Sequence, residues 1–194
     1  MAMGWSYTHV ALFGTTQQKI VAVLGDRKAA ISPTVNGFTL VADEEFESHD
    51  EERISAFAAQ LSKTLSCPAV VVSEFDDDVL SYRLIEAGVI IDEYNSEPDY
   101  FDFAGEHIPP RGPQGGDAER LCTALKRTDI RERVDRILHE QDAYLDAPDR
   151  HRKLVEALGM PVFSVGFDYG ALQNDELPEG LEEPDIIFTA TEPG

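Results

Sequence analysis

The sequence predicts an α+β fold, a split β-α-β sheet domain of ferredoxin-like order β-α-β-β-α-β extended by a hairpin, with a helical C-terminal part. Three observations carry that prediction. Short apolar runs bounded by glycine or proline recur through the first hundred residues and read as buried strands. Ile54, Phe57, Ala58, Leu61 and Leu65 fall at i, i+3, i+4, i+7 and i+11, the single apolar stripe of an amphipathic helix. Asn36-Gly37 offers two residues that tolerate positive φ, the strongest hairpin signal in the chain.

The elements follow in order. Tyr7 to Gly14 (YTHVALFG) is an apolar run stopped by glycine, and Gln17 to Arg27 carries a broad apolar helical face ending near Gly25. Ala29-Ala30-Ile31 meets Ser32-Pro33, so this arm is expected to be short or at an edge. Phe38 to Val41 is the strand after the turn. Ser48 or Asp50 caps the striped helix, Asp50, Glu51 and Glu52 suit the positive end of its dipole, and Cys67-Pro68 ends it. Ala69 to Ser73 is the next strand, followed by a hairpin of Val79 to Ile85 and Val89 to Tyr94 around Glu86-Ala87-Gly88. Helices on one face of a largely antiparallel sheet complete the expectation.

Beyond the sheet the composition changes. Residues 96–116 hold Pro98, Pro109, Pro110, Pro113 and four glycines, which marks a long loop. The expected organisation is a sheet domain over 1–104, a Pro/Gly-rich loop over 105–116, and a helical part with an acidic tail over 117–194. Helices are expected from Gly116-Asp117, from Ile130 to Gln141 and from Arg150 to Leu158, with late strands at Pro161 to Val165 and Asp185 to Thr189.

Charge is the strongest global feature. The chain of 194 residues carries 37 acidic and 16 basic residues, a formal net charge of −21. Residues 43–110 hold eighteen acidic and three basic side chains, and residues 161–194 hold eight acidic and none basic. Such a surface repels phosphate backbones, which argues against nucleic acid and anionic membrane as partners and favours a basic protein or a divalent cation. No apolar run approaches the ~18 residues a membrane span requires. The N-terminus lacks a basic and apolar signal-peptide pattern, and Cys67 and Cys122 belong to no metal or redox spacing. A cytoplasmic protein with two buried thiols is the expectation.

Candidate chemistry is sparse. Asp76-Asp77-Asp78 sits between two expected strands, and an aspartate-rich turn suits a hard cation, although it lacks the spacing of a calcium loop. His107, beside Glu106 in the Pro/Gly loop, is the histidine to test as a metal ligand or base. His9, inside an apolar strand, reads as a hydrogen-bonded core imidazole, and His151 as a surface residue. Gly112 to Gly116 precedes a helix but lacks the lysine and hydroxyl of a phosphate cradle, and reads as a flexible linker. No nucleophile motif is present. Asp92 to Phe103 interleaves acids with aromatics, and Asp92, Glu93, Tyr94, Tyr100, Phe101 and Phe103 are the candidate binding residues, anchors ringed by carboxylates.

The segments Ser32 to Val41 (SPTVNGFTLV), Asp92 to Phe101 (DEYNSEPDYF) and Gly115 to Cys122 (GGDAERLC) resemble a group of uncharacterised bacterial proteins. The resemblance implies a bacterial cytosolic origin and carries no activity, cofactor or site residue. The leading expectation is a non-catalytic acidic module that binds a basic protein, in the manner of an immunity protein or antitoxin. The rivals are a carboxylate-based metal-binding protein or hydrolase, and a structural or regulatory domain of a larger assembly.

Overall fold

The computed structural model describes residues 5–100, 112–141 and 143–190. It is a mixed helix and strand fold around one antiparallel sheet. The chain runs β1 (Tyr7–Phe13), α1 (Gln17–Leu24), β2 (Ala29–Ile31), β3 (Phe38–Asp43), α2 (Glu51–Leu65), β4 (Ala69–Phe75), β5 (Val79–Glu86), β6 (Val89–Asn95) and β7 (Gln114–Gly115). It continues with α3 (Ala118–Ala124), α4 (Arg131–His139), α5 (Ala147–Leu158), α6 (Tyr169–Gln173) and β8 (Ile187–Phe188). The strand order is β7-β6-β5-β4-β1-β3-β2-β8.

Local chemistry accounts for the elements. Asn36 and Gly37 take φ of 52° and 86°, and Val35 and Phe38 exchange two backbone hydrogen bonds across them at 2.9 Å each. The Asp50 carboxylate caps α2 by accepting from the Arg53 amide at 3.2 Å, and the helix ends at Ser66 in the left-handed region, one residue before Cys67-Pro68. Strands β1 and β4 are buried along most of their length because both faces of the sheet are covered.

One face carries Val10, Leu12, Ile31, Val41, Val71 and Ile85 against Ile20, Leu24, Ile54, Phe57 and Leu61 of α1 and α2. The other carries Ala11, Phe38, Leu40, Val70, Val72, Leu80 and Leu84 against Leu121, Leu138, Leu154, Leu158 and Phe167. The C-terminal helices therefore share a core with the sheet, and β8 adds its edge strand beside β2.

Two local expectations are corrected. Pro161 to Val165 forms a 3-10 turn over Val162–Ser164 that buries Phe163, where a strand was expected. Gly112 to Gly116 is no free linker, since Gln114 and Gly115 pair with Asn95 and Tyr94 of β6. A Cβ on Gly115 would lie 2.0 Å from the Glu93 carbonyl oxygen, so this edge strand approaches β6 only because that residue has no side chain.

Candidate protein-docking site

The β4–β5 turn organises one pole of the molecule. Asp76 and Asp77 adopt φ of 56° and 61°, a left-handed pair that aspartate tolerates better than most residues. Their groups tether other segments. Ser6 Oγ accepts from the Asp76 amide at 2.9 Å, Asp77 Oδ2 accepts from the Trp5 amide at 3.1 Å, and the Asp77 carbonyl accepts from the Ala147 amide at 2.9 Å. Tyr100 donates its hydroxyl to Asp76 Oδ2 at 3.1 Å and lies edge-on to Phe75. Loss of solvent contact, followed by the Asp76 and Asp78 carboxylates, pushes that hydroxyl up to about 12.

Beside this turn lies a hollow of about 380 Å³ lined by Asp78, Glu97, Tyr100, Tyr144, Leu145 and Asp146, among others. Leu145 is 94% exposed and Trp5 45% exposed, large apolar surfaces at the same acidic pole. None of the ion pairs among the described residues involves Asp77, Asp78, Glu97 or Asp146. Among the described residues no cationic side chain lies within ion-pair distance of them, which favours attraction of a cationic surface.

Arg150 backs this hollow and, among the described residues, carries no carboxylate partner. It donates to the carbonyls of Leu138 at 2.7 Å, Glu140 at 3.0 Å and Ile137 at 3.2 Å, and to the Tyr94 hydroxyl at 2.9 Å. These carbonyls are the free C-terminal groups of α4, so the guanidinium satisfies them and meets the negative end of the helix dipole. Its guanidinium carbon also lies 4.6 Å from the Tyr144 ring centre. Arg150 thus holds the wall that presents Tyr144 and Leu145.

The candidates named from the sequence divide among several places. Tyr100 and Asp76–Asp78 come together at the pole. Strand alternation separates Asp92, Glu93 and Tyr94, which therefore do not form one surface with Tyr100. Tyr94 is buried and donates its hydroxyl to the Leu138 carbonyl at 2.9 Å. Asp92 accepts from Tyr82 Oη at 2.7 Å and from the Asp117 amide at 2.9 Å, pinning α3 to the sheet. Glu93 points to the opposite face and bonds Arg83 at 3.0 Å. Phe101, Phe103 and His107 lie outside the described residues. Among the described residues no group of three or more His, Cys, Asp or Glu side chains is arranged to hold a metal ion.

A second hollow, about 640 Å³, opens on the sheet face beside the start of α2 and is lined by Glu51, Ser81, Arg83, Glu93, Asn95 and Gln114, among others. Arg83 lies at its centre and bonds Glu51, Glu93 and Ser55. The charges there satisfy one another, which leaves less to offer a charged partner than the pole does.

Two functional-looking residues escaped the sequence reading. His151 is 1% exposed where a surface residue was expected, and His9 is buried as expected of a core imidazole, although among the described residues its nitrogens have no partner at normal hydrogen-bond geometry. Arg150 gave no sign of its role. The signal for His151 was present, because it stands three and four positions before Leu154 and Val155 on one helical stripe.

No family model, curated protein or solved structure matches this chain. Among the described residues, no helix is long and apolar enough to cross a membrane.

Proposed function

We propose that this chain is a non-catalytic acidic module that docks a basic protein, as an immunity protein or antitoxin does, through the pole formed by the β4–β5 turn and the start of α5. The observation that carries the reading is the combination there of Asp77, Asp78, Glu97 and Asp146 without ion pairs and the exposed apolar groups Leu145 and Trp5. Apolar anchors ringed by carboxylates suit a partner presenting lysine or arginine around an apolar patch, and long-range attraction speeds its arrival. The strand order β4-β1-β3-β2, each neighbour antiparallel, supports reading the first half as a split β-α-β unit that serves as a rigid platform.

The test is capture from a lysate of the native host by the immobilised full chain, at about 0.05 M and about 0.5 M salt, beside the double variant D78K/E97K. The expected result is one basic protein held at low salt, released at high salt and not held by the variant. A partner held equally by the variant, or no specific partner, overturns the reading. A rise in melting temperature with millimolar Ca²⁺ or Mg²⁺ that D78K/E97K abolishes would instead favour a cation at the aspartate turn.

A further inference from the structure

Beneath the pole lies a buried cluster that docking does not use. His9 of β1 and His151 of α5 stack with ring centres 5.9 Å apart, and Tyr7 stacks against both at 6.2 and 5.7 Å. Phe167 closes the cluster edge-on to His9 at 6.1 Å. The Tyr7 hydroxyl and His151 Nδ1 share a hydrogen bond of 2.7 Å. Among the described residues, His151 Nε2 and both nitrogens of His9 are buried without a hydrogen-bond partner at normal geometry, although the Phe167 backbone approaches His9.

Unsatisfied buried polar groups are uncommon and costly, and three such nitrogens in one stack call for an account. A stack of this kind holds together only while both imidazoles are neutral, because a proton on either would place an unpaired charge in an apolar seam. Facing the pair, Tyr7 comes from β1, Glu74 stands opposite Tyr7 on β4, and Arg152 follows His151 on α5. Asp77 and Asp146 lie farther out, near Tyr7 and Glu74. Among the described residues neither imidazole is paired with a carboxylate.

We propose that the His9–His151 stack is an acid-sensitive latch, which seats α5 and the Phe167 segment on the sheet while neutral and releases them when protonated. Burial holds His9 down to about 3, with the Phe167 backbone working weakly the other way, and burial, then His9 and Arg152, hold His151 well below its usual value. The sign follows directly. A folded-state pKa below the open-state value of about 6.5 gives stability that is present above that pH and lost as pH falls. Each imidazole favours the open form about tenfold per pH unit below that value.

Glu74 acts in the opposite sense. Burial, then Asp77, push its carboxyl up to about 8, so its contribution to the closed form grows as pH falls and is complete near its ordinary value of 4.5. It offsets about one imidazole proton between roughly pH 6.5 and 4.5, and Asp168, beside Phe167 and raised by burial while it accepts from the Thr8 backbone, acts in the same sense as Glu74. Release is therefore expected at about pH 4–5. Because Asp146 of the acidic pole caps α5 one turn before His151, release would also dismantle that pole; this consequence rests on the docking reading, whereas the latch does not.

The chain supplies its own reporter. Trp5 is the one tryptophan, and its ring packs 6.0 Å from Tyr7 and directly against Gly166. The experiment follows Trp5 fluorescence from about pH 7.5 to 3.5, with amide hydrogen exchange of residues 147–173 compared with 51–65, in wild type, H9F and H9F/H151F. The expected outcome is a fluorescence change near pH 4.5 with exchange accelerated first in 147–173, and a midpoint at least about one unit lower in the double variant. H9F keeps the Tyr7–His151 bond and should shift the midpoint part of the way, so it serves where the double variant does not fold. A flat wild-type profile, uniform loss of protection in both segments, or a midpoint unmoved in H9F overturns the latch.

Discussion

Tyr7 and Glu74 stand directly opposite each other in the antiparallel pairing of β1 with β4, and each is 1% exposed. Among the described residues neither oxygen of Glu74 has a hydrogen-bond partner at normal geometry. A carboxyl so placed is tolerated as the neutral acid and penalised as the anion.

That relationship predicts how Glu74→Gln behaves with pH. The folded-state pKa of about 8 lies above the ordinary 4.5, so the favourable contribution is whole below 4.5 and lost as pH rises through 8. The amide of Gln mimics the neutral acid at every pH. Melting curves should coincide at about pH 4.5 and separate by about 2 kcal/mol at about pH 8.5, or ~4–8 °C in favour of the variant. Equal melting temperatures at alkaline pH would mean that Glu74 finds a partner when ionised.

Arg150 sits behind the hollow at the acidic pole and meets three carbonyls and one hydroxyl. Arg150→Met keeps much of the stem's packing but orphans the end of α4 and the Tyr94 hydroxyl. A loss of about 3 kcal/mol is expected, read as a fall in the urea midpoint without a change in slope. A loss below about 1 kcal/mol would place these contacts with ordinary surface pairs.

The central elements were legible because their signals are local. Periodicity at 3.6 marked Ile54 to Leu65, and Asn36-Gly37 marked the turn. Of the sheet's two edges, β8 falls inside the strand expected at Asp185 to Thr189, whereas β7 was not legible, because two residues leave no alternation to read. Their place depends on distant contacts, Gln114 on Asn95 and Ile187 on Ile31. The site divided for the same reason. A continuous acidic and aromatic segment looks like one surface in sequence, but Glu93 and Tyr94 of a strand must point to opposite faces. The acidic pole gathers Trp5, Asp78, Glu97 and Asp146 from separate parts of the chain, a convergence set by tertiary packing.

Leu145 offers the cleanest separation of binding from stability. At 94% exposure it contributes little to folding, so Leu145→Ser should change stability by less than about 0.5 kcal/mol. If the pole is the docking surface, the same change should weaken capture of the basic partner by about tenfold or more, with the loss mainly in dissociation rate. Surface plasmon resonance with the captured partner reads both rates. An unchanged affinity would remove Leu145 from the interface.

Cys67 belongs to the core on the α1–α2 face and Cys122 to the core on the other, so the sheet lies between two free thiols. Burial pushes both up to about 11, with Asp129 adding at Cys122. The thiolate is the reactive form, and at neutral pH almost none is present. A chromogenic disulfide reagent should therefore titrate no thiol rapidly in the native protein and two after denaturation. Fast labelling of one thiol at neutral pH would reveal a local opening on that face.

Arg83 gives the contrast to Arg150. Its partners Glu51 and Glu93 are 68% and 63% exposed at the side chain, so water and salt already screen the pairs. Both neighbouring charges also remain solvated once the guanidinium is gone, unlike the carbonyls that Arg150 covers. Arg83→Met should accordingly cost about 1 kcal/mol or less, and the difference from wild type should shrink further in about 0.5 M salt. Paired urea titrations at low and high salt decide it. A larger cost, or one indifferent to salt, would show that Arg83 acts through packing of its stem between α2 and the sheet.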